Sequence, residues 1–98
     1  MPGYVAILSA ELHFPEAGSL KGKRKYVLSA KAQLANRFGA SVAEVDHHDL
    51  WQRCSLSAAV AAREAREAED RAARAEAWLA GQAWELTRSD VLLVSPDD

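Results

Sequence analysis

The chain has little of several residue types, and each shortage excludes a class of protein. Cys54 is the single cysteine among 98 residues, so no internal disulfide can form. No stretch approaches the roughly 18 apolar residues that a membrane-spanning helix requires. Residues 1–3 have neither the basic nor the apolar segment of a secretory signal, and we therefore expect a cytoplasmic protein.

The charge of the chain is nearly balanced. Its 12 basic and 14 acidic residues give a formal net charge of -2, so the protein as a whole does not attract nucleic acid. Any role in binding nucleic acid therefore needs a local basic patch. A chain of 98 residues with 49% hydrophobic composition suits one core, and we predict a single domain over residues 1–98.

The first part of the chain is predicted to form a strand and then a helix. Apolar residues alternate from Tyr4 to Phe14, which predicts a strand that ends before Pro15. Helical spacing follows over Leu20–Phe38, with Ser19 as N-cap and Gly39 as the terminating residue. The core side of the strand is predicted to carry Ala6, Leu8, Ala10, Leu12 and Phe14. The predicted apolar stripe of the helix comprises Leu20, Val27, Leu28, the Lys31 stem, Leu34, Ala35 and Phe38.

The middle of the chain admits two interpretations. Residues 41–48 alternate and predict a second strand. After that, the alanine-rich segment from Leu56 to Ala80 favours one long helix, whereas alternation over residues 51–61 favours a third strand. We predict the strand, because a hairpin that pairs Val45 with Cys54 sets apolar against apolar and acid against base. The same hairpin pairs Asp46 with Arg53 and Ala43 with Leu56.

The remainder is predicted to form a second helix from Arg63 to Gly81, a last strand that includes Trp84 and Val94, and a frayed tail over residues 95–98. The resulting order predicts an α+β, ferredoxin-like βαββαβ fold: an antiparallel four-stranded sheet of order 4-1-3-2 with both helices on one face. In this topology the start of the first helix and the hairpin at residues 47–52 meet at the same end of the sheet.

The candidate binding residues lie at this end of the sheet. Basic side chains on the first helical turn, where free N–H groups favour anions, predict a site for phosphate or RNA backbone. The alternative is an internal network in which Asp46 and Asp49 pair with the basic side chains and orient them. Trp51 is either a surface for base stacking or a cover for the hairpin end. The predicted anion- or RNA-binding residues are Ser19, Lys21, Lys23, Arg24, Trp51, Gln52 and Arg53.

Two catalytic hypotheses concern the same end of the sheet, and we favour neither. Adjacent strand residues point to opposite faces, so a metal site is restricted to residues that share the open sheet face. These candidates are Glu11, His13, Asp46 and His48. Cys54 is predicted to face the core as a small apolar group and not to act as a nucleophile. We therefore predict no catalytic residue, no metal and no cofactor.

The other end of the open sheet face is predicted to be apolar, with Val5, Ile7, Ala59 and Ala61 exposed. An apolar surface of this kind is more than a monomer usually leaves uncovered. We therefore expect a homodimer formed over this face.

Two motifs resemble those of a known family. S-L-K-G-K-R at residues 19–24 and A-E-V-D-H-H-D-L-W-Q-R at residues 43–53 make the chain similar to the small bacterial YlxP-like proteins, over most of its length. The resemblance implies the topology predicted above and, because genes of this family often lie among translation genes, a task linked to RNA or the ribosome. Family members resembling S-L-K-E-K-R have glutamate where this chain has Gly22, so the capping box is reduced here to Ser19.

Together these observations predict a non-enzymatic RNA- or ribosome-associated binding module. A structural homo-oligomer without a nucleic-acid ligand and a metal-assisted hydrolase are the alternatives.

Overall fold

The computed structural model describes residues 3–96 and confirms the predicted architecture. Its elements are β1 (Tyr4–His13), α1 (Leu20–Phe38), β2 (Ser41–Asp46), β3 (Arg53–Ala62), α2 (Ala65–Ala80) and β4 (Glu85–Val94). The sheet is antiparallel throughout, and its order β2-β3-β1-β4 is the predicted 4-1-3-2 counted from the opposite edge. The helices pack against the sheet and against each other. None of the helices in residues 3–96 has the length and apolar content to cross a membrane.

Two predictions concern residues outside this range. The frayed tail at 95–98 is described only for Ser95, which is half-buried, and Pro96. The expectation of no secretory signal rested on residues 1–3, of which the structure describes Gly3.

The core lies between the sheet and the helices, and the alternation of β1 generates it. Every second residue of this strand and its extension is buried: Ala6, Leu8, Ala10, Leu12 and Phe14. Phe14 stacks on Tyr26 of α1 at 5.4 Å between ring centroids and meets Trp84 edge-on at 5.9 Å. The indole nitrogen of Trp84 donates to the Leu79 carbonyl at 3.0 Å, so this buried polar group is satisfied.

The ambiguous segment after Trp51 forms a strand, and the alternative of one helix over residues 56–80 is wrong. Ten residues of β3 pair with β1, from Arg53 opposite His13 to Ala62 opposite Tyr4. This long ladder, together with burial of one face, overrides the local helix propensity of alanine.

The buried side of α1 differs from the predicted stripe. It comprises Lys23, Val27, Ala30 and Leu34, spaced four, three and four residues apart. Leu20, Leu28 and Ala35, which were predicted to face the core, are exposed, and Leu28 is 65% exposed. The helix is therefore turned so that Lys23, which was not part of the predicted stripe, points inward near the start of the helix.

The hairpin register was also predicted wrongly, by one residue. Ala43 pairs with Ser57 instead of Leu56, and Glu44 pairs with Leu56. A shift of one residue moves each side chain to the other face, so Glu44 lies on the helix side and Val45 is exposed. An irregularity between Glu44 and Asp46 then places Asp46 opposite Ser55, and the predicted pairing of Asp46 with Arg53 is absent.

The predicted caps of α1 are confirmed. The Ser19 hydroxyl accepts from the N–H of Gly22 at 3.1 Å, and no acidic residue lies in the first turn. Gly39 ends the helix in the left-handed conformation, with φ 65°, and its N–H donates to the Ala35 carbonyl.

Replacing Gly22 by glutamate is expected to stabilise the protein. A Cβ here meets Ser19 Oγ at 3.5 Å, an ordinary contact, and glycine within a helix costs about 1 kcal/mol relative to alanine. Glutamate at this position also accepts from the Ser19 N–H, which completes a capping box. We expect the melting temperature to rise by about 4–8 °C for each kcal/mol gained.

The matched control is Gly22→Ala, which gains the backbone contribution without the side-chain cap. Its melting temperature should lie between those of the parent and Gly22→Glu. A glutamate variant that melts below the parent would contradict this account of the helix start.

Candidate functional site

The start of α1 and the hairpin at residues 47–52 are neighbours, as the predicted topology requires. Backbone and side-chain hydrogen bonds join the hairpin to the loop before α1. The N–H of Phe14 donates to the Gln52 carbonyl at 2.8 Å. The Gln52 side chain donates in turn to the carbonyls of Ala17, at 3.2 Å, and Pro15, at 3.4 Å. Gln52, which was predicted to contact an anion, therefore joins the two loops.

Lys23 is the central residue of this junction. It is only 2% exposed, and its Nζ lies 3.0 Å from Glu44 Oε2. The same ammonium donates to the backbone carbonyl of His47. Burying an ammonium is unfavourable unless it is paired and hydrogen-bonded, and both conditions are met here. Lys23 thus connects α1 to β2 and to the first residue of the hairpin.

The internal partner of Lys23 is not the one predicted. Asp46 and Asp49 were expected to pair with the basic side chains, but in the described range of the chain neither forms an ion pair with lysine or arginine. Asp46 Oδ1 accepts instead from the N–H of His47 at 2.7 Å. Glu44 takes the predicted role because the observed register turns it toward α1.

Glu44 was missed because the predicted register placed it on the open face. Its Oε2 is buried and makes no well-directed hydrogen bond, so it depends on the nearby charge of Lys23. A sequence signal for the pair did exist. Lys23 begins a helical series that continues with Val27, Ala30 and Leu34. A lysine buried in such a series needs an acidic partner, which the facing strand has to supply.

Cys54 lies under this pair and is fully buried, as predicted. Burial and the nearby charge of Glu44 raise the pKa of the Cys54 thiol to about 12, although Lys23 acts in the opposite direction. The thiol is therefore protonated near neutral pH, and a protonated thiol is a poor nucleophile.

His47 is the second residue that sequence reasoning missed. Its φ of 65° places a non-glycine residue in the left-handed region, which costs free energy and is found where the surroundings enforce it. Its carbonyl accepts from the Leu50 N–H at 3.1 Å as well as from Lys23, and these bonds fix the turn. Its Nε2 lies 3.6 Å from Glu11 Oε1 on the open sheet face.

The left-handed turn separates the four residues considered for a metal. His47, rather than His48, lies beside Glu11. His48 is on the helix side, with Nε2 3.9 Å from Glu44 Oε1. His13 turns to β4, where its Nδ1 lies 2.5 Å from Glu85 Oε1. The prediction that Glu11, His13, Asp46 and His48 share a face is therefore wrong, and within residues 3–96 no three histidine, cysteine or acidic side chains converge on one point.

The tip of the hairpin exposes two large apolar side chains. Trp51 is 53% exposed and Leu50 is 45% exposed. They line a surface depression of about 350 Å³ together with His13, Gln52 and Arg53. The exposed fraction leaves part of the indole accessible at the end of the hairpin, as base stacking would require.

The remaining basic candidates lie at the surface around this depression and the helix start. Lys21, Arg24, Lys25 and Arg53 are exposed, whereas Lys23 is withdrawn by burial. Ser19 is occupied as the helix cap. Three predicted residues, Ser19, Lys23 and Gln52, thus shape the site, and Lys21, Arg24, Trp51 and Arg53 are free to contact a ligand.

Comparison with known proteins identifies the family of this chain. The sequence model of a family described as "Protein of unknown function (DUF503)" matches residues 5–91. The chain belongs to the DUF503 family. It is also 39% identical over 44 residues to the "Uncharacterized protein YlxP" of Bacillus subtilis (strain 168). That match covers 45% of this chain and 48% of the Bacillus protein, so it spans about half the length of this curated relative.

The resemblance to YlxP-like proteins predicted from the two motifs is therefore confirmed. The region matched by the DUF503 family includes both motifs, at residues 19–24 and 43–53. These motifs supply Lys23, Glu44 and His47, so the internal junction and the exposed Trp51 both fall inside the family region.

Removal of the Lys23 ammonium is expected to destabilise this DUF503 protein strongly. Lys23→Met leaves the buried Glu44 oxygen without a counter-charge, and we expect the free energy of unfolding to fall by about 3 kcal/mol or more. The double variant Lys23→Met with Glu44→Leu should lose less than the sum of the two single variants, because it leaves no uncompensated charge. Urea denaturation measures all three.

Lys25→Met is the matched control, since it removes an exposed lysine from the same helix. It should change the free energy of unfolding by no more than about 0.5 kcal/mol. Equal losses for Lys23→Met and Lys25→Met would show that the buried pair does not hold the junction.

Proposed function

We propose that the protein is a cytoplasmic, non-enzymatic module that binds single-stranded RNA at the hairpin end of its sheet. The observation that carries this proposal is the exposure of Trp51 beside Arg53, on a hairpin that Lys23 joins to the basic start of α1. The resemblance of the two motifs to a family linked with translation makes ribosomal RNA the first ligand to test.

Trp51 supplies the surface for a base. An unpaired base stacks on an exposed aromatic ring with little regard to sequence, and such stacking contributes about 1–3 kcal/mol per base. The depression beside the indole carries the flat ring of His13 and the guanidinium of Arg53, which also suit a planar base and its phosphate. Hydrogen bonds from Phe14 and Gln52 hold the loop that presents Trp51, so little order has to be gained on binding.

The start of α1 supplies the charge for the backbone. Lys21, Arg24 and Lys25 are exposed, and the first turn contains no acid to neutralise them. The free N–H groups and dipole of the helix start add to the attraction of phosphate. Because the chain as a whole carries a net charge of -2, this local patch has to provide the affinity, and we expect only a few phosphate contacts.

We also infer a homodimer formed over the open sheet face. The predicted apolar end of this face is extended by β4, which places Leu92 opposite Ile7 and Val94 opposite Val5. Leu92 and Val94 are exposed beside Ala61, so the patch crosses three strands. A dimer built here leaves the hairpin end open and is compatible with RNA binding.

Trp51→Ala tests RNA binding directly. We expect its affinity for an unstructured RNA of about ten nucleotides to fall by about tenfold, as loss of one stacked base requires. Lys21→Ala should instead lower the slope of log affinity against log salt by about 0.7 for each lost phosphate contact. Fluorescence anisotropy at several salt concentrations measures both effects.

Arg63→Ala is the matched control, because it removes an exposed arginine that follows β3 at the opposite end of the sheet. Its affinity and salt slope should equal those of the parent. Absence of RNA binding at low salt, or equal losses for Trp51→Ala and Arg63→Ala, would refute the proposal.

Sedimentation at micromolar concentration tests the dimer separately. We expect a species of twice the 10.7 kDa chain mass, and Leu92→Lys should convert it to monomer because a charge is placed in the apolar patch. A parent protein that sediments as a 10.7 kDa monomer would remove the dimer without affecting the RNA proposal.

A further inference from the structure

The groove between α1 and β2 shares no residue with the Trp51 depression, although Arg24 belongs both to this groove and to the basic start of α1. It forms a cavity of about 260 Å³ that opens beside the sheet edge. Leu20, Arg24, Leu28 and Lys31 line it from α1, and Glu44 and His48 line it from the side of β2. We propose that this groove binds an extended peptide segment of a partner protein, which adds a strand to β2 and carries alternating apolar and acidic side chains.

The edge of β2 is open to a further strand. In the part of the chain that the structure describes, β2 pairs with β3 alone. Sheet edges are usually protected by lysine, proline, a bulge or an inward-pointing charge, and the inward charge of this strand, Glu44, is neutralised by Lys23. β2 contains neither residue type, and its irregularity lies after Glu44, so Ser41–Glu44 form a regular stretch with small side chains at Ser41 and Ala43. Its outward backbone groups are available for β-strand addition.

At the opposite edge of the sheet, the edge strand is bonded directly to its helix. There, Ser89 of β4 donates to Glu76 of α2 at 2.6 Å, which ties the helix to the edge strand. On the β2 side, the contact between helix and strand is made by Lys23, which is buried between α1 and β2. Beyond it the outer stripe of α1 remains uncovered, and Leu28 is exposed. The β2 edge is therefore accompanied by a groove that can hold side chains.

The spacing of the α1 stripe fits a strand. Leu20, Arg24 and Leu28 recur every four residues, a step of about 6 Å along a helix. Side chains on one face of a strand recur every second residue, a step of about 6.6 Å. A strand that runs along the groove therefore offers one inward side chain to each member of the stripe.

The charge of the groove selects the partner. Its stripe alternates leucine and base, from Leu20 and Arg24 to Leu28 and Lys31. Glu44, the acidic residue that lines the groove, already forms an ion pair with Lys23. Arg24 and Lys31 form no ion pair within residues 3–96, so the complementary strand alternates apolar and acidic residues at its inward positions.

A designed peptide tests the proposal. The probe is a fluorescein-labelled peptide of about nine residues. Threonine occupies every second position, and the positions between are alternately valine and glutamate. Leu28→Asp should weaken its binding by about tenfold or more. Lys31→Glu should weaken the binding of this peptide by about threefold. The same variant should bind a second peptide, in which lysine replaces glutamate, more tightly than the parent protein does.

Trp51→Ala is the control for independence from RNA binding, and it should leave peptide affinity unchanged. Amide hydrogen exchange provides the backbone test: the bound peptide should slow exchange of outward N–H groups in Ser41–Glu44, whereas docking through side chains alone would not. Because Leu28 is exposed and Lys31 is half-buried, both variants are expected to keep the parent melting temperature within a few degrees.

Several results would overturn the proposal. One is equal binding of the glutamate and lysine peptides to the parent protein, which would remove the charge selection. Another is a parent dimer that Leu28→Asp dissociates, which would make a second copy the occupant of the groove. Loss of RNA binding in Leu28→Asp, with no peptide bound to the parent, would assign the groove to RNA.

Discussion

The contact of the buried Lys23 ammonium with Glu44 and with the His47 carbonyl is the interaction on which the rest of this structure depends. Lys23 is only 2% exposed, and its buried ammonium is tolerated because a carboxylate and a carbonyl oxygen replace its water. The three residues belong to α1, β2 and the hairpin that follows β2. Their contact therefore fixes the position of the helix start relative to the hairpin, and with it the surface at this end of the molecule.

This arrangement divides the polar residues of the two motifs into internal and external sets. Ser19, Lys23, Glu44 and Gln52 satisfy one another or the backbone, and they define the shape of the loops. Lys21, Arg24, Trp51 and Arg53 remain outside on that fixed frame. A binding surface supported in this way loses little conformational entropy when it meets a ligand, which favours recognition by a small number of contacts. The charge of the surface is local and reaches only a few phosphates, so moderate affinity and a shallow dependence on salt are expected of any polyanion it binds.

Much of the fold is predictable from the sequence, because strong apolar periodicity is hard to satisfy in more than one way. The alternation of β1 places its apolar side chains on a single face, and the order of elements then leaves few topologies. The strand after Trp51 was a closer decision, since alanine favours helix locally and only the ladder with β1 makes the strand preferable. The contacts of the site residues were harder to predict than the topology, because they depend on which of two adjacent strand residues points inward.

The register of β2 illustrates this limit. Val42, Ala43 and Val45 lie on both faces of the strand, so apolar pattern barely distinguishes two registers one residue apart. The charge of Glu44 decides between them, because only the observed register brings it to Lys23. The conformation of His47, with φ 65°, then reverses the expected positions of the two histidines. Histidine and aspartate are both enriched among left-handed residues, so propensity does not single out His47 within Asp46–Asp49, and the metal hypothesis assumed an extended backbone there.

The most direct test of this account is the environment of Lys23 in solution. In nuclear Overhauser spectra of the parent protein, the ε-methylene protons of Lys23 should show contacts with Glu44 and with the backbone of the 47–50 turn. Observation of these contacts would establish that the helix start and the hairpin are joined through the buried ammonium. A Lys23 side chain that contacts only its own helix and water would contradict the account.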